Sequence, residues 1–304
     1  MSSLSAVVAT PLAGVVVLAL LRRNPVVARL VAVTTALATA AAVVPVVAGV
    51  VREGSRSEVL GGWPAPLGVP LVADGLSAAL LAMTALVGLA VTAFAVGERR
   101  EDAFWPLWLA AWAALNALYV SGDAFNVYVA LEVLGLAAVG LVALAGGEAL
   151  RAALRYLFVA VLGSLAYLLA VALLYADRGG LELALLARTP GEPLVSAVAL
   201  GLITVGMMLK TALLPLHGWL PPAHGGAPAP VSPILSALVV KGSFYVLVRM
   251  WLTVLPDAAT PRAAPCSARS AAPLRCGVRG WHCASTGSSS SSPTRRSRRS
   301  VTCS

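Results

Sequence analysis

Three ionisable residues lie inside apolar runs of the sequence. Lys210 lies in GMMLKTALLPLHGW, Lys241 in SALVVKGSFYVLV, and Glu132 in AFNVYVALEVLGLAAVG. The chain has only these two lysines against twenty arginines. A lysine in an apolar environment can release its proton, and a nearby carboxylate tunes that release, whereas arginine keeps its proton. The pattern predicts proton exchange, and the alternative is a structural Glu–Lys pair that orients helices.

The composition indicates that these charges are held by membrane helices. The chain is 59% hydrophobic and 12% charged, with a mean hydropathy of +0.87, whereas soluble domains carry about 25% charged residues. A secreted protein with one signal peptide is excluded because apolar runs recur along the whole chain. The N-terminus also lacks a basic segment before its first apolar run.

Windows of about 20 apolar residues, the length that crosses a bilayer, predict an all-α, polytopic bundle of about eight transmembrane helices. The predicted spans are 4–21, 26–51, 75–97, 104–121, 123–145, 153–176, 194–220 and 230–255. Glu132 and Lys241 then lie about 13 and 16 Å along their helices, near the middle of the membrane. Each buried charge costs about 2.5–3.5 kcal/mol there, so we expect the three to face each other or water.

Arginines between the spans predict the orientation. The loops after spans 1, 3 and 5 carry seven arginines, and those after spans 2 and 6 carry four that alternate with acids. The two sets are Arg22, Arg23, Arg29, Arg99, Arg100, Arg151 and Arg155, and Arg52, Arg56, Arg178 and Arg188. Because basic loops favour the cytoplasmic side, we expect the N-terminus outside.

Pro215 predicts a break in the seventh helix just after Lys210. Proline removes a backbone donor and clashes with the carbonyl four residues earlier, that of Thr211. Freed backbone groups at membrane depth need protein or water, so we expect a hydrated cavity; the alternative is an ordinary proline kink. His217 and His224 follow, and each either passes protons to the bulk phase or forms a polar cap.

Other polar residues near helix ends have simpler predicted roles. Asp74 and Asp123 precede predicted helices and are expected to cap them. The Gly- and Pro-rich segment 61–77 is expected to form a compact outer loop. Trp219 fits an interfacial aromatic belt, and Arg249 is expected to extend its charged end toward the membrane surface. Residues 1–256 show no glycine fingerprint, nucleophile elbow or metal-spaced His/Cys set.

The sequence changes character after Asp257. The last residues contain eight arginines, no acids and all four cysteines, Cys266, Cys276, Cys283 and Cys303. A disordered basic tail that binds anionic lipid or nucleic acid is one interpretation. A cysteine metal site or disulfide framework is another, although the spacings match no zinc pattern. We favour a third, a reading frame shifted in a GC-rich gene, because a basic tail outside the membrane opposes the charge bias.

The segment LKTALLPLHGWLPPAHGGAPAPVSPILSALVVKGSFYVLVRMW resembles the proton-translocating module of antiporter-like membrane subunits. These subunits occur in complex I and in multisubunit Mrp-type cation/proton antiporters. GGWPAPLGVPLVADGLS and GDAFNVYVALEVLGLAAVGLVAL are most similar to the D subunits of Mrp antiporters. The resemblance covers about residues 1–255. It implies three leading helices (1–100), one proton-translocation repeat with a broken helix 7 (101–256, helices 4–8), and an absent second repeat, so the chain is expected to be truncated.

The resemblance also implies roles for the ionisable residues. Glu132 tunes Lys210 on the broken helix, Lys241 extends the polar axis, and His217 and His224 follow the break at Pro215. The expected function is proton conduction in a monovalent cation/proton antiporter of the bacterial plasma membrane. The expected partners are other membrane subunits, lipid, protons and Na⁺ or K⁺, with no nucleic acid, cofactor or metal.

Two alternative functions are left open. One is a proton-pumping subunit of complex I or of a membrane-bound hydrogenase, in which the chemistry is performed elsewhere. The other is a structural or vestigial subunit that transports nothing. For the two transporting functions we expect the chain by itself to be a transporter subunit rather than an enzyme, even under the name NADH:quinone oxidoreductase.

Overall fold

The computed structural model describes residues 3–21, 24–63, 68–98 and 103–259. Within them, seven helices are long and apolar enough to cross a membrane, and an eighth apolar helix, Phe104–Val120, has 17 residues. The predicted all-α polytopic bundle is thus confirmed. Four arginines of the charge comparison, Arg22, Arg23, Arg99 and Arg100, and the tail from residue 260 onward lie outside the described residues.

The described chain forms twelve α-helical segments, two π-helical segments and one hairpin. The elements are α1 (Ser3–Leu21), α2 (Pro25–Glu53), β1 (Arg56–Leu60), β2 (Val69–Ala73), α3 (Gly75–Gly97), α4 (Phe104–Val120), α5 (Ala124–Ala143), α6 (Gly147–Arg178), α7 (Leu183–Arg188), α8 (Pro193–Thr211), α9 (Leu220–Gly226), α10 (Val231–Ile234), the π segment Leu235–Val239, α11 (Val240–Arg249), the π segment Met250–Val254, and α12 (Pro256–Ala259). We call the continuous stretch Val231–Val254 the eighth span.

Side-chain caps fix the starts of two spans, as predicted. The Asp74 carboxylate accepts a hydrogen bond from the backbone N–H of Ser77 at the start of α3. The Asp123 carboxylate accepts two, from the N–H groups of Phe125 and Asn126, at the start of α5. Such bonds satisfy donors that have no partner within the helix.

The predicted compact loop contains one strand of an antiparallel hairpin. β1 pairs with β2 in a register that places Arg56 opposite Ala73. The hairpin also contacts the turn between α4 and α5, where the N–H of Gly122 donates to the carbonyl of Pro70 at 2.9 Å. The hairpin therefore ties the start of α3 to the start of α5.

Helix α4 forms the centre of the bundle and packs against α1, α3 and α5. Its large aromatic side chains Trp105, Trp108, Trp112 and Tyr119 are all less than 2% exposed. Because other helices surround it, α4 presents little surface to its surroundings. At about 1.5 Å per residue it is about 26 Å long, slightly shorter than the hydrocarbon layer.

Two glycines allow α6 and α8 to cross with their backbones in close approach. A Cβ atom at Gly163 of α6 would lie 2.7 Å from the carbonyl oxygen of Gly206 in α8. A Cβ at Gly206 would lie 2.5 Å from the carbonyl oxygen of Gly163. Small residues permit such contacts between membrane helices, and here the contact lies one helical turn before Lys210.

Helix α8 ends at Thr211, so the predicted break after Lys210 is present and the predicted extension of the span to residue 220 is wrong. Ala212 takes a left-handed conformation, with φ 55°, and ends the helix before Pro215 is reached. The chain then turns through residues 213–219 into the short helix α9. The predicted span at 153–176 is also longer in the structure, since α6 begins at Gly147.

The conformation of Ala212 generates the first prediction. A left-handed conformation costs an L-residue about 1–2 kcal/mol, whereas glycine adds about 0.5–1 kcal/mol of unfolded-state entropy. Ala212→Gly should therefore stabilise the purified chain by about 0.5–1 kcal/mol, measured by thermal unfolding in detergent. Ala197→Gly, at an exposed position within α8, should destabilise it by about 1 kcal/mol. Equal losses of stability would contradict a strained Ala212.

The α6–α8 crossing generates the second prediction. Gly206→Ala should separate the helices and destabilise the chain by about 1–3 kcal/mol. Gly201→Ala is the matched control in the same helix, because a Cβ there meets no atom within 4 Å. Thermal unfolding of both variants in the same detergent provides the measurement. The close crossing would be refuted by a Gly206→Ala variant that is as stable as Gly201→Ala.

Candidate functional site

Lys210 lies in the last turn of α8 and is 5% exposed. Its ammonium Nζ donates to the backbone carbonyl of Leu131 in α5 at 3.4 Å. Gly163 leaves room for the stem of the lysine, since a Cβ there would lie 3.1 Å from Lys210 Cγ. The close α6–α8 crossing thus directs the ammonium across α6 to the middle of α5.

A small cavity adjoins Lys210, which forms part of its wall. Its volume is about 10 Å³, enough for about one water molecule. Helices α5, α6, α8 and the eighth span contribute to its wall. The lining residues are Leu131, Leu134, Gly135, Tyr156, Ala160, Lys210, Val239 and Ser243.

Glu132 is the next residue after Leu131, whose carbonyl accepts the hydrogen bond from Lys210. The glutamate is partly buried, and its charge is close enough to interact electrostatically with the Lys210 ammonium. Among the described residues, no ion pair within 4.0 Å joins the two side chains. The arrangement is a buried cation with a carboxylate in its electrostatic range, and the proposed roles of both residues stay predictions.

The backbone freed at the end of α8 is satisfied by the returning loop. The indole Nε1 of Trp219 donates to the carbonyl of Leu209 at 2.8 Å, and the N–H of Leu213 donates to the carbonyl of Met208 at 3.1 Å. The Trp219 ring stacks on Tyr156 with centroids 4.2 Å apart. Trp219 is 4% exposed, so the expectation of an interfacial anchor is wrong: the helix break needs its donor inside the protein.

The two histidines after the break differ in their surroundings. His217 is exposed. His224 is partly buried, and its Nδ1 lies 2.7 Å from the Ser232 hydroxyl. Burial lowers the pKa of His224 below its ordinary value. His224 thus joins the loop to the start of the eighth span, and its predicted part in proton transfer stays a prediction.

Lys241 lies on the opposite side of the eighth span from the Lys210 cavity. Val239 and Ser243 line that cavity. Lys241 lies midway between them in sequence, so on a helix of 3.6 residues per turn its side chain points about 180–200° away from theirs. The Lys241 side chain is exposed on this chain, and its Nζ donates to the Ser236 carbonyl at 2.6 Å. The structure therefore brings Lys210 close to Glu132 but does not bring Lys241 to either of them.

One polar cluster, around Asp74 and Arg249, is not predicted by the sequence. Arg249, expected to extend its charge to the membrane surface, instead forms an ion pair with Asp74 at 2.5 Å, so that expectation is wrong. The pair joins residues 175 positions apart. Helix periodicity cannot predict a contact between residues so far apart in the sequence. The one available indication is that an acid and an arginine lie at the ends of two predicted spans.

Comparisons with known proteins place this arrangement in a family. Residues 121–266 match the family described as NADH:quinone oxidoreductase/Mrp antiporter, TM. This segment includes the cap of α5, Glu132, Lys210, the loop after the break and Lys241.

Individual relatives agree with the family match. The N subunit of the NADH-quinone oxidoreductase of Desulforudis audaxviator is 40% identical over 210 residues, covering 66% of this chain and 42% of that protein. The D subunit of the Na(+)/H(+) antiporter of Bacillus subtilis is 33% identical over 217 residues, covering 67% and 43%.

A solved structure shares the fold. A chain of the Mrp complex from Dietzia sp. DQ12-45-1b aligns with a TM-score of 0.76 and 26% identity, over 84% of this chain and 50% of that chain. The present chain thus spans half or less of the length of these relatives. The chain is a multi-pass membrane protein that belongs to the NADH:quinone oxidoreductase/Mrp antiporter family of membrane subunits.

Proposed function

We propose that the chain is a proton-conducting membrane subunit of a multisubunit monovalent cation/proton antiporter. The observation that carries this proposal is the position of Lys210, buried at the broken end of α8 with its ammonium on α5 beside Glu132. A lysine can alternate between protonated and neutral forms in such a site, whereas an arginine cannot. The relative that is named as a component of a Na(+)/H(+) antiporter supports the same function.

In the proposed mechanism, Lys210 shares its proton with a water molecule in the adjoining cavity. The charge of Glu132 stabilises the protonated form of Lys210, so a displacement of that carboxylate favours proton release. Lys241, on the far side of the eighth span, receives the proton. His217, exposed beyond the break at Pro215, and His224 connect the site to the bulk phase.

The surroundings of the chain are part of the proposal. We place it in the bacterial plasma membrane with its N-terminus outside, beside other membrane subunits of the same complex. Protons and either Na⁺ or K⁺ are the proposed transported ions. The bias of arginines toward the loops after spans 1, 3 and 5 supports this orientation.

One other function is supported by a specific observation. The relative with 40% identity is named as a component of NADH-quinone oxidoreductase, which favours a proton-pumping subunit of a complex I-like assembly. The two functions differ in the partners they require. Purification of the native complex separates them: flavin- or iron–sulfur-containing proteins that copurify favour the oxidoreductase, and their absence with cation-dependent proton flux favours the antiporter.

Lys210→Arg tests the proton-exchange role. The substitution keeps the charge but prevents its release, and proton transfer by a side chain contributes about 10²–10⁴-fold to rate. We expect proton flux per assembled complex to fall by about a hundredfold, measured with a pH-sensitive dye in vesicles that contain the intact complex.

Arg151→Lys is the control for this test. Arg151 is an exposed residue that pairs with Glu148 at 3.1 Å, and exchange of its charged group should leave flux unchanged. If Lys210→Arg conducts protons at the wild-type rate while the complex is fully assembled, Lys210 has only a structural role and no protons are exchanged through it.

A further inference from the structure

The Asp74 cluster links three helices at one end of the bundle. We define it as the side chains of Asp74, Ser77, Tyr245 and Arg249 together with the backbone carbonyl of Tyr119. Asp74 and Ser77 belong to the start of α3, Tyr119 to the end of α4, and the other two to α11. Every residue of the cluster is separated from Lys210 by many positions in the sequence, and the proposed mechanism does not use the cluster.

Arg249 is bound on three sides within this cluster. Its Nη1 donates to the Asp74 carboxylate at 2.5 Å, and its Nη2 donates to the hydroxyls of Tyr245 at 2.7 Å and Ser77 at 3.1 Å. The Tyr245 hydroxyl in turn donates to the Tyr119 carbonyl at 3.1 Å. A guanidinium held by several fixed partners has one orientation, so the cluster fixes the end of α11 against α3 and α4.

The ion pair is charged and shielded from its surroundings. The side chains of Arg249 and Asp74 are 13% and 32% exposed. Burial raises the pKa of Asp74, but the hydrogen bonds from Arg249 and the Ser77 N–H outweigh it and keep that pKa below its ordinary value. Loss of one partner would leave the other charge partly buried without compensation, which is far more costly than loss of an exposed pair.

The other end of α11 is fixed by close packing. A Cβ at Gly242 would lie 3.1 Å from side-chain atoms of Leu115 and Leu118 in α4, and 3.3 Å from Leu134 in α5. π-helical segments precede and follow α11. A π segment changes the rotation per residue, so the regular helical phase of α11 does not continue into the segments before and after it. The contacts that orient α11 itself are the packing at Gly242 and the Asp74 cluster.

We propose that Asp74 and Arg249 are positioning residues for Lys241. Their ion pair fixes the rotation of α11 about its axis, and this rotation keeps Lys241 on the exposed side of the helix, away from the Lys210 cavity that Ser243 lines. The importance of this positioning for transport rests on the proposed function, in which Lys241 receives the proton.

The two lysines of the chain make this proposal directly measurable. Full-length protein labelled with ¹³Cε-lysine contains only Lys210 and Lys241 as labelled residues, and Lys241→Arg assigns their two NMR resonances in detergent. We expect Asp74→Asn and Arg249→Gln each to shift or split the Lys241 resonance. The Lys210 resonance should shift less, because the direct partner of its ammonium is the Leu131 carbonyl of α5, although Ser243 of α11 lines the same cavity.

Three further variants make the result decisive. The exchanged pair Asp74→Arg/Arg249→Asp should restore the Lys241 resonance toward its original position. Arg151→Gln removes an exposed ion pair and should leave both resonances unchanged. If the single charge variants do not fold, Tyr245→Phe, which removes one hydroxyl and keeps the ring packed edge-on against Tyr119, should give a smaller shift of the same resonance.

An unchanged Lys241 resonance in the folded variants, Tyr245→Phe included, overturns the proposal. The measurement does not depend on transport. If the resonance shifts but proton flux per assembled complex stays the same in Asp74→Asn, the positioning of Lys241 is supported and its role as proton acceptor fails. A shifted resonance with reduced flux supports both.

Discussion

The site depends on one constraint: the Lys210 ammonium has left water and must be satisfied by protein. The carbonyl of Leu131 is its direct partner, and the charge of Glu132 lies within electrostatic range. This contact is possible only because Gly163 and Gly206 let α6 and α8 approach closely enough for the lysine to pass. An added methyl group at the crossing would therefore disturb the contact between the Lys210 ammonium and α5 as well as the packing of α6 against α8.

The helix break next to Lys210 frees backbone carbonyls that the protein must also satisfy. A helix that continued past Lys210 would have no free carbonyls there, whereas α8 ends at Thr211 and leaves several. The loop returns so that Trp219 and Leu213 can donate to them. Trp219 also stacks on Tyr156, which lines the Lys210 cavity. The residue that satisfies the freed backbone of α8 therefore also supports the wall of the cavity. A change in the loop would reach the lysine through this stack.

Features that depend on local sequence could be predicted, and features that depend on packing could not. Hydropathy predicts the eight spans, Asp74 and Asp123 are predictable as caps, and Lys210 followed by proline indicates the break. The burial of Trp219 and the Asp74–Arg249 pair required knowledge of which helices are neighbours. The direction of Lys241 could not be predicted because the sequence does not show that Val239 and Ser243 line the Lys210 cavity.

The outward direction of Lys241 determines how the chain can pass a proton onward. A lysine at membrane depth that faced only lipid would cost about 2.5–3.5 kcal/mol, and one bond to the Ser236 carbonyl offsets part of that cost. Polar groups of a neighbouring protein segment or water must therefore lie against this face of α11 if the residue is to stay charged. The proposed path consequently crosses α11 from the enclosed Lys210 to the exposed Lys241, and in the proposal the Asp74–Arg249 pair fixes the orientation of this helix.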